Sequence, residues 1–215
     1  MQVMVVDMQK EPIPGPYLVR MGGWTLERYL AEAPESARWE YVRGEVVMHS
    51  PATAEHQDLV RFLLRLLDGY CETRGWGKVL MGPAAVQVLP EVVREPDLFV
   101  LPPEAAEQAS GGPIRARPAL IIEVVSPATR SMDLGEKAQE YEQGGVDEYW
   151  VVDAERREVI AHRRGGSSWE VERVSQGRLA SAAVPGFWLE VEWLWARPLP
   201  PAEACLRRIR GEEEL

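Results

Sequence analysis

Three observations predict an α/β fold. Leu120-Ile121-Ile122-Glu123-Val124-Val125 and Glu148-Tyr149-Trp150-Val151-Val152-Asp153 are apolar runs of strand length, the pattern of strands buried on both faces. A helical stretch, Asp133 to Gln143, lies between them. The order strand, helix, strand at that spacing is a crossover unit, which makes the two strands parallel neighbours. Finally, a long helix over roughly Ala52 to Thr73 carries His56, Leu59, Val60, Leu63, Leu66, Leu67 and Tyr70 at three- and four-residue steps, giving it one apolar stripe to lay on a sheet.

The remaining elements follow in chain order. Residues 1–20 hold three prolines and little periodicity, so residues 1–23 are expected to form an irregular arm with one short strand. Trp24 to Leu30 reads as a short helix with Thr25 as N-cap. Trp39 to Met48 reads as a hairpin turning at Arg43-Gly44. The long helix is entered through Ser50-Pro51 and stopped by Gly75. Strands are expected over Lys78 to Met81, Ala85 to Leu89 and Pro96 to Leu101, then a loop or partly helical excursion over residues 102–118. The spacing Asp133-x-x-Glu136 suggests a capping box opening the crossover helix, and Gly144-Gly145 closes it. Residues 157–180 read as antiparallel strands turning at Arg164-Gly165-Gly166 and Gln176-Gly177, and Phe187 to Trp195 as a strand leading into a helical turn. Residues 24–196 form the main domain on this reading, and residues 197–215 a frayed C-terminal helix or tail.

Composition narrows the function classes. At 215 residues, 46% of them hydrophobic and 27% charged, the chain suits a globular domain with one sizeable core. No apolar stretch approaches the roughly 18–20 residues of a membrane span. The N-terminus lacks the pattern of a signal peptide, so a cytoplasmic protein is expected. Two cysteines, Cys71 and Cys205, make neither a metal cluster nor a disulfide framework. The formal charge of −10 argues against a broad basic face for nucleic acid, though not against a local Arg-lined groove.

Glu123 is the residue that breaks its surroundings' rule. An unpartnered carboxylate inside that apolar run would cost several kcal/mol, on the order of a domain's whole stability margin. A cation, several donors or a metal must compensate. Asp97, after Pro96 at the head of a strand, and Lys137, beside the apolar stripe of the crossover helix, are the candidates to join it. Lysine is conspicuous here, because the chain uses 21 arginines and only 3 lysines. Two carboxylates from adjacent strand ends can hold Mg²⁺ or Mn²⁺, and a lysine beside them can orient water or stabilise a phosphoryl transition state. The same three residues could equally make a structural ion pair.

The pattern Pro96-Asp97 … Glu123-Val124-Val125-Ser126-Pro127 … Asp133-x-x-x-Lys137-x-x-x-Tyr141 … Gly145-Val146-x-Glu148-Tyr149-Trp150-Val151-Val152-Asp153 resembles the bacterial putative restriction endonuclease family of the PD-(D/E)XK nuclease superfamily. Upstream, Trp39-Glu40-Tyr41-Val42-Arg43-Gly44-Glu45 and Ser50-Pro51-x-x-x-x-His56 match its N-terminal part, so the resemblance covers roughly residues 24–195. It implies a restriction-endonuclease-like core, a mixed central β-sheet flanked by helices, and Mg²⁺-dependent cleavage of DNA. It also implies Asp97 and Glu123 as metal ligands, Glu40 as an acidic residue near the site, and His56 beside the metal shell or the phosphate. The superfamily's lysine usually stands two residues after the glutamate. Val125 is there instead, so Lys137 would supply the ammonium from the following helix. If DNA binds, the hairpin pair Arg163-Arg164 is the favoured phosphate contact. Nucleases of this kind often pair to cut both strands, which makes a homodimer one option. Two other classes stay open: a catalytically idle DNA- or protein-binding module with this fold, and a metal-independent hydrolase using two carboxylates as acid and base.

Overall fold

Arg43 and Gly44 both take positive φ, 46° and 90°, the backbone that a two-residue turn between right-twisted strands requires. The computed structural model describes residues 17–34, 37–107, 109–166 and 168–212. The turn joins β2 (Trp39–Val42) to β3 (Glu45–His49). Before them come β1 (Leu18–Gly22) and α1 (Leu26–Glu32), whose N-cap Thr25 accepts from the Arg28 N–H as expected. Most of the predicted N-terminal arm lies outside the described residues.

The long helix α2 (Ala54–Arg74) starts at the N-cap Thr53 and ends on Gly75 with φ 59°. Then follow β4 (Lys78–Met81), β5 (Val86–Leu89), β6 (Val92–Arg94), β7 (Leu98–Leu101), the short α3 (Pro103–Ala106) and β8 (Leu120–Val124). The sequence reading missed β6. Pro96 and Asp97 precede strand β7 and so lie outside it. The crossover holds α4 (Arg130–Met132), a π-helical turn over Asp133–Lys137, and α5 (Ala138–Gln143), before β9 (Glu148–Asp153). The remainder is β10 (Glu158–Gly165), β11 (Ser168–Val174), β12 (Arg178–Ala180), β13 (Trp188–Glu190), a 3-10 turn over Val191–Leu194 and α6 (Ala202–Arg210).

Two sheets result. One is five-stranded and antiparallel, in the order β1-β3-β2-β6-β5; the other is six-stranded, β11-β10-β9-β8-β7-β4. In the larger sheet β8 and β9 are parallel and every other pair antiparallel, so the predicted mixed sheet and its crossover both hold. Strand alternation then divides the core. Leu120, Ile122 and Val124 face α2 and α6, while Ile121 packs with Ala138 and Tyr141 of α5. Glu123 shares the α5 side with Ile121. The segment Arg94–Asp97 leaves the smaller sheet and enters the larger one, buried throughout. The seam between the sheets therefore lies beside Glu123.

Two expectations need correction. Asp133 is not an N-cap: the helix begins at Arg130, and Asp133 already has helical φ −64° and ψ −39°. A π turn takes one residue more than a regular turn, and it leaves Asp133 and Lys137 both buried on the inner side. The C-terminal helix is not frayed. Ala202, Cys205, Leu206 and Ile209 are buried, Arg210 donates to the Gly69 carbonyl at 2.6 Å, and Gly211 at φ 74° caps the end. Glu213 and Glu214 of the expected tail lie outside the described residues. Among the described residues no helix is long and apolar enough to cross a membrane, and both cysteines are free and buried.

Gly77, at φ 67°, turns the chain into edge strand β4, and a Cβ there would overlap the Leu101 carbonyl oxygen. Gly111 has a similar φ of 70° with nothing within 4 Å. Gly111→Ala should therefore cost only the left-handed backbone penalty of about 1–2 kcal/mol. Gly77→Ala adds an overlap that backbone must absorb, for a total of at least about 3 kcal/mol. Urea denaturation of the two variants checks the difference.

Candidate active site

The sheet seam gathers carboxylates from three directions: Glu40 on β2, Asp97 just before β7 and Glu123 on β8. They are 0%, 6% and 2% exposed, so each must find compensation inside the protein. Lys137, fully buried, meets them from the π turn. Its Nζ lies 2.7 Å from Glu123 Oε1, 3.3 Å from Glu40 Oε1 and 3.2 Å from Asp133 Oδ1. Tyr141, one turn on, donates to the same Glu123 oxygen at 3.0 Å. Lys137 is thus no solvated flank of the helix. The migrated ammonium reaches Glu123 because the π turn packs over β8.

Arg38, a residue the sequence reading did not select, completes the group. Its Nη1 donates to Asp97 Oδ1 at 2.8 Å and its Nη2 to Glu123 Oε2 at 3.1 Å. Nη2 also donates to the Glu95 carbonyl at 2.8 Å. A single guanidinium therefore spans two carboxylates contributed by separate segments. Asp97 Oδ2 accepts the Val124 N–H at 2.8 Å, and His56 Nε2 lies 3.3 Å from Oδ1. Burial alone would push the Asp97 carboxyl up, but Arg38, His56 and the Val124 N–H hold it well below the usual range. For Glu123 burial prevails: despite Lys137 it is pushed up to about 7, with nearby Asp97 adding to the rise. Lys137 moves the other way. Burial opposes its charge, yet Glu123, Glu40 and Asp133 outweigh it and keep the ammonium protonated.

Glu40 stands behind this group. Its Oε2 receives Arg94 Nη1 at 2.9 Å and sits 3.0 Å from His49 Nε2; its Oε1 accepts the Glu95 N–H at 3.1 Å. Arg94 is itself fully buried and also bonds Glu140 at 2.8 Å and Glu136 at 2.9 Å. Glu40 consequently anchors Lys137 and Arg94 and does not line the cleft. Asp97, Glu123, Asp133, Lys137, His56 and Arg38 do line it, around a cavity of about 50 Å³.

Arg163 and Arg164 are not brought to this cleft. Arg163 pairs across the sheet with Glu148, which in turn pairs with Leu120 at the far end of β8 from Val124. Its Nε donates to Glu148 Oε1 at 3.0 Å and its Nη2 to the Ala180 carbonyl at 2.9 Å. Arg164 donates to the Val146 carbonyl at 2.8 Å.

The donor set fits a divalent cation. Asp97 Oδ1 and Glu123 Oε2 converge closely enough to share one guanidinium, and hard oxygen donors of this kind suit Mg²⁺ or Mn²⁺. Among the described residues no group of three or more His, Cys, Asp and Glu is spaced to hold a metal ion. An ion here would therefore take two carboxylates and complete its shell with water, as Mg²⁺ commonly does. Of the buried polar atoms on the cleft, Arg38 Nε has no hydrogen-bond partner, while His56 Nε2 and Asp133 Oδ1 have only their ion-pair contacts with Asp97 and Lys137. An unpartnered buried donor is uncommon in folded proteins.

Residues 26–192 match the family model described as "Putative restriction endonuclease". Among solved structures, a protein from Anabaena variabilis described as a putative nuclease aligns with a TM-score of 0.69 at 14% identity. The alignment covers 80% of this chain and 97% of that one. At that identity the likeness speaks for the fold. Curated protein sequences give no match.

Lys137→Met would leave Glu123, Glu40 and Asp133 short of their shared cation, so it should destabilise the protein by about 3–5 kcal/mol. Adding Glu123→Gln should recover part of that loss, which a double-mutant cycle by urea denaturation reads as coupling. Glu95 offers a pH test. It is 6% exposed with Oε2 unpartnered, and burial, then Glu40, push it up to about 8 from an ordinary 4.5. The folded state keeps a proton that the unfolded state releases, so this contribution is intact below pH 4.5 and lost as pH rises to about 8. Glu95→Gln should accordingly gain stability relative to wild type between pH 5 and pH 8, measured by denaturation midpoints.

Proposed function

The chain belongs to the family described as putative restriction endonucleases, and from that premise we propose that it is a nuclease hydrolysing phosphodiester bonds in DNA with Mg²⁺ or Mn²⁺. One observation carries the reading: Asp97 Oδ1 and Glu123 Oε2 converge on one guanidinium, that of Arg38, with the Lys137 ammonium 2.7 Å from the other Glu123 oxygen. When bound, a divalent ion supplies Lewis-acid polarisation of the scissile phosphate and eases deprotonation of the attacking water.

The chain's own residues divide the remaining work. Asp97 and Glu123 hold the ion. Asp97 is kept ionised and fixed in orientation by the Val124 N–H. Lys137, held protonated among three carboxylates, acts as a fixed positive charge that orients water and stabilises charge developing on the phosphate. It is not the base. Tyr141 and Glu40 hold Glu123 and Lys137 in place. His56 faces the cleft beside Asp97, where it can meet a phosphate oxygen or a water.

A second reading, a catalytically idle module on the same fold, is favoured by Arg38 itself, which already neutralises both carboxylates, and by the net charge of −10. Incubation with supercoiled plasmid, linear duplex and single-stranded DNA separates the two. The nuclease reading expects cleavage with Mg²⁺ or Mn²⁺, none in EDTA, and loss of cleavage in both Asp97→Asn and Glu123→Gln. Absence of cleavage on all substrates with either metal would favour the idle module, and activity surviving Glu123→Gln would reject Glu123 as a ligand.

A further inference from the structure

Arg38 differs from the two fully buried cations at the seam. Lys137 and Arg94 are 1% and 0% exposed at the side chain and are held by three carboxylates each. The Arg38 side chain is 26% exposed. It reaches the cleft from the residue just before β2, where its carbonyl accepts the His49 N–H at 3.2 Å, so only the side chain is free to move. Its two terminal nitrogens take up the oxygens of Asp97 and Glu123 that converge, while its Nε is buried without a partner. The remaining oxygens, Asp97 Oδ2 and Glu123 Oε1, are satisfied by Val124 N–H, Lys137 and Tyr141. Withdrawing Arg38 would therefore leave Glu123 Oε2 without a partner and Asp97 Oδ1 with His56 alone, the pair of oxygens needed by a divalent ion. A guanidinium fork also matches the oxygens of a phosphate.

Resting on the nuclease reading and deepening it, we propose that Arg38 is the resident cation of the metal-free site. A divalent ion displaces it from Asp97 Oδ1 and Glu123 Oε2, and the freed guanidinium then holds the phosphate of the bound nucleic acid strand. Before a metal arrives, Arg38 offsets part of the repulsion between two close carboxylates, which together with burial still pushes the Glu123 carboxyl up. It also gives the site its order of assembly. Metal entry and release of a phosphate-binding group become a single event, so substrate engages strongly only in the loaded protein. Replacing one positive charge with two leaves the cleft more positive at that moment, which favours an anionic strand on a chain of net charge −10.

The test separates metal binding from catalysis. Mn²⁺ binding without DNA is measured by isothermal titration calorimetry for wild type and Arg38→Ala. Binding of a fluorescent oligonucleotide is then measured in Ca²⁺, used as a stand-in ion that supports binding without turnover. Because the ion no longer competes with two charge-assisted hydrogen bonds, Arg38→Ala should bind Mn²⁺ about tenfold or more tightly than wild type. It should also lose most of its oligonucleotide affinity. Equal or weaker Mn²⁺ binding by the variant would overturn the exchange while leaving the nuclease reading intact, whereas no Mn²⁺ binding by either protein would overturn both. If Arg38→Ala does not fold, the Arg38 Nε–H resonance of isotope-labelled wild type decides: diamagnetic Mg²⁺ should shift it, and an unmoved resonance in a protein that binds Mg²⁺ overturns the proposal.

Discussion

Neutralising buried carboxylates is the constraint on which the rest of this structure depends. Glu40, Asp97, Glu123 and Asp133 are all buried where two sheets and a helix meet, and no one of them could stay charged there alone. Lys137 is shared by three of them and Arg94 by Glu40 and two helix glutamates. These shared cations fasten the hairpin sheet to the crossover helix through charge, beside a small apolar contact of Met132 with Val42, Val47 and Val92. An arrangement of this kind adds little to stability compared with a hydrophobic seam. Its retention makes chemical sense if the charges serve a reaction.

Much of this was legible in the sequence, and the parts that were not share a cause. The crossover, the long helix with its caps and the β2–β3 turn follow from periodicity and turn chemistry, which are local. Glu123 was legible as an anomaly inside an apolar run, and Asp97 and Lys137 as its companions. Arg38 was passed over because an arginine in a chain with 21 of them carries no local signal. Only strand alternation hinted at it, since Arg38 and Glu40 lie two residues apart and share a face. Asp133 was misread for a related reason: the spacing to Glu136 is that of a capping box, but the buried ammonium of Lys137 needed an anion four residues back. The contact of His49 with Glu40 has no local signal either, because it comes from register across the hairpin. Tertiary charge pairing overrode local pattern in each case.

The arginine hairpin illustrates the same limit from the other side. Arg163 and Arg164 looked exposed and available next to Gly165-Gly166. In the folded chain Arg163 belongs to a cluster around Glu148, whose carboxylate also accepts the Trp150 indole N–H at 2.8 Å and the Ala182 and Ala183 N–H groups at 3.0 and 3.1 Å. That carboxylate pins the connection between β12 and β13 to the larger sheet. A run of basic residues read along the chain says nothing of which acidic groups the fold will bring against it, and an overall charge of −10 supplies many.

The π turn has a consequence for how such a chain can drift. Each residue of a regular helix advances the side chain by about 100° around the axis, and the wider turn at Asp133–Lys137 absorbs one additional residue without shifting the flanking segments. Excising a single amino acid between Asp133 and Lys137 would let the helix relax to ordinary winding, and Asp133 would fall out of phase with Lys137 and Tyr141. An insertion or deletion between Asp133 and Lys137 would thus part a buried anion from its cation, whatever letters fill the turn.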